Sequence, residues 1–144
     1  WDHNDAYRGI VRLYRDLIAL RLDRTGVTRG LRGQFTNLFH VNDQDNVLAF
    51  QRWDRHGPAD DVVVVLNFGH RAWEHYEIGM PVAGHWRLVF NSDAGAYSAD
   101  FGNHPSADVT AQPDPMNGLD ARASVSIGPY SALIYSLAAE PATR

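Results

Sequence analysis

Apolar positions near the start of the chain recur with helical spacing. Ile10, Leu13, Tyr14, Leu17, Ile18 and Arg21 fall at i, i+3, i+4 intervals, which predicts an amphipathic helix over residues 5–22 with one apolar face. Asn4 or Asp5 is placed to cap its start, and Gly26 follows its expected end. Arg8, Arg12 and Arg15 lie off the stripe. Such a helix needs a surface to cover.

Past Gly30 the period changes to that of strands. Runs at 38–43 and 47–53 are joined by Gln44-Asp45-Asn46, a hairpin signal. The run 61–68 contains Val62-Val63-Val64-Val65-Leu66, which predicts a strand buried on both faces. Strands at 73–78 and 85–91 are separated by a Gly/Pro turn at 79–84. In the second, Trp86, Leu88 and Phe90 alternate with Arg87, Val89 and Asn91, the pattern of a half-buried strand. Residues 94–120 are rich in Gly, Pro, Asn, Asp and Ser and read as loop, with a short strand near Val109. Two further strands fit 121–127 and 130–137, broken by Gly128-Pro129. The expected fold is all-β: an antiparallel, Greek-key-like β-sandwich preceded by one N-terminal α-helix.

Composition narrows the function. The 144 residues are 44% hydrophobic and 21% charged, ordinary values for a globular domain. A formal net charge of −4 argues against nucleic acid, whose phosphates need basic partners. No apolar stretch approaches the ~20 residues of a membrane span. The absence of Cys excludes disulfides and zinc–thiolate sites and fits a cytoplasmic protein. The chain starts at Trp1, and its first Met is Met80, which predicts a piece of a longer protein.

Candidate chemistry is sparse. Of 17 acids only Glu74, Glu77 and Glu140 are Glu. On a regular strand, Glu74 and Glu77 point to opposite faces and cannot flank one sugar bond, where a retaining glycosidase needs carboxyls ~5–5.5 Å apart. No His spacing matches a metal motif, no nucleophile elbow occurs, and no cofactor signature is found. Asn91-Ser92-Asp93 reads either as a polar ligand site or as side chains capping a turn. The aromatics carry what functional potential there is, because sugar C–H faces stack on flat rings. Trp86 is expected in the core, whereas Trp73, Trp53 and Tyr97 are the candidate sugar contacts, with Trp73 foremost.

Taken in order, several segments resemble α-amylase-family enzymes. Tyr14-Arg15-Asp16-Leu17-Ile18-Ala19-Leu20-Arg21 resembles the last helix of their catalytic barrel, and Gly30-Leu31-Arg32-Gly33 the linker after it. Asn46–Arg52, Val62–Phe68, Tyr76-Glu77-Ile78-Gly79 with Gly84-His85-Trp86, and Ile127–Tyr135 are similar to strands of the domain that follows. Asn91-Ser92-Asp93 and Tyr76-Glu77-Ile78-Gly79 look most like glucan branching enzymes, although Tyr97-Ser98-Ala99-Asp100 lacks the glycine pair that many of them carry. The resemblance implies a parent acting on α-1,4-glucans through an eight-stranded barrel whose catalytic acids lie upstream, with no matching position here. It further implies residues 1–30 as barrel helix and linker, 31–138 as a C-terminal β-sandwich domain and 139–144 as a disordered tail. The expected role is a non-catalytic domain that stabilises its own upstream barrel; the alternative is a carbohydrate-binding module holding α-glucan on surface aromatics.

Overall fold

The computed structural model describes residues 3–95, 97 and 102–139. Helix α1 (His3–Arg21) leads through a 3-10 turn (Arg29–Arg32) into eight strands. These are β1 (Phe35–Asn42), β2 (Val47–Trp53), β3 (Val62–Asn67), β4 (Trp73–Met80), β5 (Gly84–Asn91), β6 (Val109–Ala111), β7 (Ala121–Ile127) and β8 (Ser131–Leu137). Six form one antiparallel sheet in the order β1-β2-β3-β8-β5-β6, and β4 pairs with β7 in a second. Because β8 inserts between β3 and β5, the chain crosses between the sheets repeatedly, as the expected sandwich requires.

The inter-sheet core explains the pattern. Val47, Ala49, Val63, Val65, Trp86, Leu133 and Tyr135 of the large sheet meet Tyr76, Ile78, Met80, Ala123, Val125 and Ile127 of the small one. On β3, Val63 and Val65 face this core, while Val62 and Val64 turn to a second cluster with Leu20, Leu31, Phe90 and Ile134. The unbroken β-branched run is therefore buried on both faces, with Val62, Val63 and Val65 fully inaccessible. Met80 is also fully buried, so β4 continues through Gly79-Met80 and the expected turn shrinks to residues 81–83.

Among the described residues three bulges break the alternation expected from the sequence, one of them between Trp73 and Tyr76 on β4 and two in the large sheet. Of these two, one lies between Leu88 and Phe90, whose partners on β8 are Tyr135 and Ile134. The extra residue reverses the phase, so Trp86 and Leu88 stay in the inter-sheet core while Phe90 joins the second cluster. The other lies between Leu38 and His40 on β1. It leaves Leu38, opposite Phe50, and Val41, opposite Leu48, on the same outer face despite a spacing of three.

The helix also differs from expectation. Its backbone is already helical at His3, so Asn4 and Asp5 lie in the first turn rather than ahead of it. Its apolar residues also do not share one contact. Leu13, Leu17 and Leu20 pack on the outer face of the large sheet, whereas Tyr14 and Ile18 are exposed together with Val11 and Leu22. At 3.6 residues per turn, the apolar positions from Leu20 round to Leu22 span about 200°. That is too wide for one neighbour to cover, and the sheet covers about half of it. No helix among the described residues is long and apolar enough to cross a membrane. The expected tail lies, from residue 140 onward, outside the described residues.

Candidate functional site

The aromatics singled out from sequence are placed as follows. Trp53 is partly buried, with Phe35 stacked at 5.6 Å on its ring and His56 stacked at 4.8 Å. Trp73 packs against the inter-sheet core, with Tyr76 edge-on at 5.2 Å and the Arg71 guanidinium 3.9 Å from its ring centroid. Its Nε1 is buried without a hydrogen-bond partner. Tyr97 is buried against Phe90, and its hydroxyl donates to Asp16 Oδ2 at 2.6 Å. Phe101 lies outside the described residues. The structure brings none of the three candidates together.

The polar groups serve mainly to fix backbone. Asn91 Oδ1 accepts the Asp93 N–H at 3.0 Å, Ser92 Oγ accepts that of Ala132 at 2.8 Å, and the Asp93 carboxylate accepts those of Gly102 and His104. The capping reading of this triplet is therefore the one the geometry supports. Glu74 and Glu77 are both exposed, and a bulge between Trp73 and Tyr76 removes the strict alternation assumed for them. Glu77 faces Arg122 at 3.6 Å. Among the described residues, no group of three His, Cys, Asp or Glu is placed to hold a metal ion.

The β2–β3 loop is the most heavily built polar element. Asp60 is fully buried; its carboxylate accepts the N–H groups of Asp54, Arg55 and His56 and the Arg29 Nε–H at 2.6 Å. Burial opposes its charge, but these donors outweigh that and hold its pKa below the usual carboxylate value. Next to it, buried Asp61 accepts His56 Nδ1–H at 2.9 Å and the Gly57 N–H at 2.7 Å. His56, Gly57 and Asp61, with Gln51 of β2, line a cleft of about 310 Å³. Pro81, Val82, Leu119 and Leu137 complete it. Sequence reasoning missed this cleft, because its residues come from segments far apart in the chain.

The second feature is an apolar surface. On α1, Val11 (53% exposed), Tyr14 (62%) and Ile18 (50%), continued by Leu22 (45%) in the turn that follows, form a stripe facing away from the sheet. On the same side of the molecule, Leu38 (54%) and Val41 (58%) are exposed on the outer face of β1. Scattered exposed apolar residues need no explanation, but a stripe of four along one face does. The inner face of α1 is tightly fixed. A Cβ added to Gly9 would lie 1.7 Å from the Tyr97 carbonyl oxygen, so only glycine allows that approach. Arg21 Nη1 donates to the Leu31 carbonyl at 2.6 Å, and Thr28 Oγ1 to that of Leu20 at 2.7 Å.

Residues 39–138 match the family model described as the alpha amylase C-terminal all-beta domain. The chain is 33% identical over 136 residues to the 1,4-alpha-glucan branching enzyme GlgB of Mycobacterium ulcerans, covering 92% of this chain and 18% of that protein. It is 38% identical over 92 residues to the GlgB of Frankia casuarinae, covering 62% of this chain and 11% of that protein. It is 34% identical over 131 residues to GlgB 1 of Xanthomonas axonopodis pv. citri, covering 89% and 18%. The chain thus spans less than a fifth of the length of these relatives.

Proposed function

We propose that this chain, which belongs to the family of alpha-amylase C-terminal all-beta domains, is the non-catalytic closing domain of a cytoplasmic α-1,4-glucan-acting enzyme, and that it stabilises a catalytic barrel encoded ahead of it. The observation that carries this reading is the exposed stripe of Val11, Tyr14, Ile18 and Leu22 on a helix whose opposite side is held by the sandwich. A helix with an apolar arc of about 200° is a middle layer, buried when something packs on its second side. Residues 1–30 are then the last barrel helix and its linker, and 31–138 are the domain on which that helix rests. Similarity to proteins named as branching enzymes makes α-glucan branching the favoured chemistry of the whole.

The test is a chimera. This chain replaces the matching segment of the Mycobacterium ulcerans branching enzyme, and the isolated chain is assayed beside it. Expected are no turnover of amylose or glycogen by the isolated chain, and an active chimera whose barrel and sandwich melt in one transition. Separate melting of the two parts, or turnover by the isolated chain, contradicts the reading.

A further inference from the structure

We infer that the bare outer face of β1 and β2 is a second seat for the upstream barrel, taking an apolar segment about one helix thick that lies alongside α1. The identity of the partner rests on the proposed function; the bare surface does not.

Three observations carry it. First, the outer face of the large sheet is apolar across its strands, and α1 covers only part of it. Leu38 of β1 lies opposite Phe50 of β2, Phe50 opposite Val64 of β3, and Val64 opposite Ile134 of β8. Leu13, Leu17 and Leu20 of α1 pack at the Val64–Ile134 end of this row, whereas Leu38 is 54% exposed. A second row runs from Val41 through Leu48 to Leu66, and its β1 end is bare as well, with Val41 58% exposed. The ladder continues past Leu66, since the Phe68 N–H donates to the Asn46 carbonyl, and Phe68 is exposed too.

Second, β1 is the edge strand of the sheet, and its eight residues include no Asp, Glu, Lys, Arg or Pro. Edge strands that stay free in solution are blunted by charge, proline, bulges or a cover. The bulge between Leu38 and His40 is the device present here, and it leaves both Leu38 and Val41 on the outer face. An uncharged edge that also presents two large aliphatic side chains is built to be covered.

Third, the dimensions fit. A helix is ~10–12 Å across, so α1 stands above the sheet as a wall of that height. Strands lie ~4.8 Å apart, which makes β1 and β2 a shelf ~10 Å wide at its foot. Helices pack ~8–10 Å apart, so one more helix-thick segment fills the shelf beside α1. The chain spans 18% of the Mycobacterium ulcerans relative, so most of such a polypeptide lies elsewhere and is tethered to this surface. A tethered partner acts at an effective concentration on the order of mM, which favours it over a second copy of this chain.

The experiment is amide hydrogen exchange, read by mass spectrometry, on the 144-residue chain and on the branching-enzyme chimera. Exchange across Phe35–Asn42 should slow about tenfold or more in the chimera, because a covered edge strand opens less often. Leu38→Lys with Val41→Lys should abolish that slowing and lower the melting temperature of the chimera. The same pair should leave the melting temperature of the isolated chain unchanged, since lysine is well tolerated on an exposed edge. The exchange comparison needs no substitution, so it keeps the test open should the lysine pair fold poorly. Slower exchange over residues 11–18 with none over Phe35–Asn42 overturns the second seat and leaves the helix interface standing. Slowing over neither segment overturns the proposed function as well. An isolated chain that dimerises until the lysine pair is introduced, with exchange over Phe35–Asn42 unchanged in the chimera, gives this face to a second copy and overturns the inference.

Discussion

The hydroxyl of Tyr97 donates to Asp16 Oδ2 at 2.6 Å across 81 positions of sequence. This bond ties the loop after β5 to the helix that precedes the sandwich. It works together with Gly9, which lets α1 approach the Tyr97 backbone. The tyrosine pKa is pushed well above its usual range, first by burial and then by the Asp16 carboxylate that accepts its proton.

A pH dependence follows. A tyrosine whose folded pKa is raised contributes full stability below the unfolded value of about 10 and loses it as pH rises beyond that. Thermal melts between neutral and strongly alkaline pH should therefore fall from about pH 10 upward. Tyr97→Phe should lower stability at neutral pH by about 1–3 kcal/mol and make the alkaline fall shallower. The fall should not vanish, because Tyr135 is also raised, by burial and by Asp108. A Tyr97→Phe melt identical to the parent at every pH would show that the bond contributes nothing.

Gly30 should resist substitution. A Cβ there would lie 2.2 Å from the Asp60 carbonyl oxygen and 2.6 Å from that of Arg52, and neither backbone atom has room to yield. Gly30→Ala should cost about 1–3 kcal/mol or more through this overpacking. At Gly26 nothing lies within 4 Å of an added Cβ, and only its φ of +79° opposes alanine. Gly26→Ala should cost about 1 kcal/mol. Denaturant midpoints of the two variants measure the difference, and equal losses would contradict it.

Val63→Asp or Val65→Asp should unfold the chain. Both valines are fully buried between the sheets. An unpaired carboxylate there costs several kcal/mol or takes up a proton. That is most of a typical total stability of ~5–15 kcal/mol. Circular dichroism should show loss of the cooperative melt, and a melt like the parent's would show that β3 is not central.

Much of the fold was legible because its signals are local. The β2, β7 and β3 runs state their burial residue by residue, and the turns that bound them contain Gly, Pro or Asn. The bulges at Phe39 and Val89 were not legible, since either residue fits a regular strand and only the partner strand reveals the extra position. The helix was legible but its two-sided contact was not. Ile10, Leu13, Tyr14, Leu17 and Ile18 read as one stripe until the structure divides them between the sheet and solvent. Trp53 was flagged as a contact for sugar, yet Phe35, distant in sequence, stacks on its ring, and a left-handed backbone at His56 in the following turn brings that ring onto it as well.

On the proposed function, the outer face of α1 is an interface to a catalytic barrel. Val11→Glu with Ile18→Glu tests it, made both in the isolated chain and in the branching-enzyme chimera. Glutamate is a good helix former and both sites are exposed here, so the isolated chain should change by no more than ~0.5 kcal/mol. In the chimera the same carboxylates would be buried unpaired at the barrel surface, at a cost of several kcal/mol. The melting temperature should be unchanged in the isolated chain and clearly lowered in the chimera. An unchanged melting temperature in the chimera, or an equal fall in both, would contradict it.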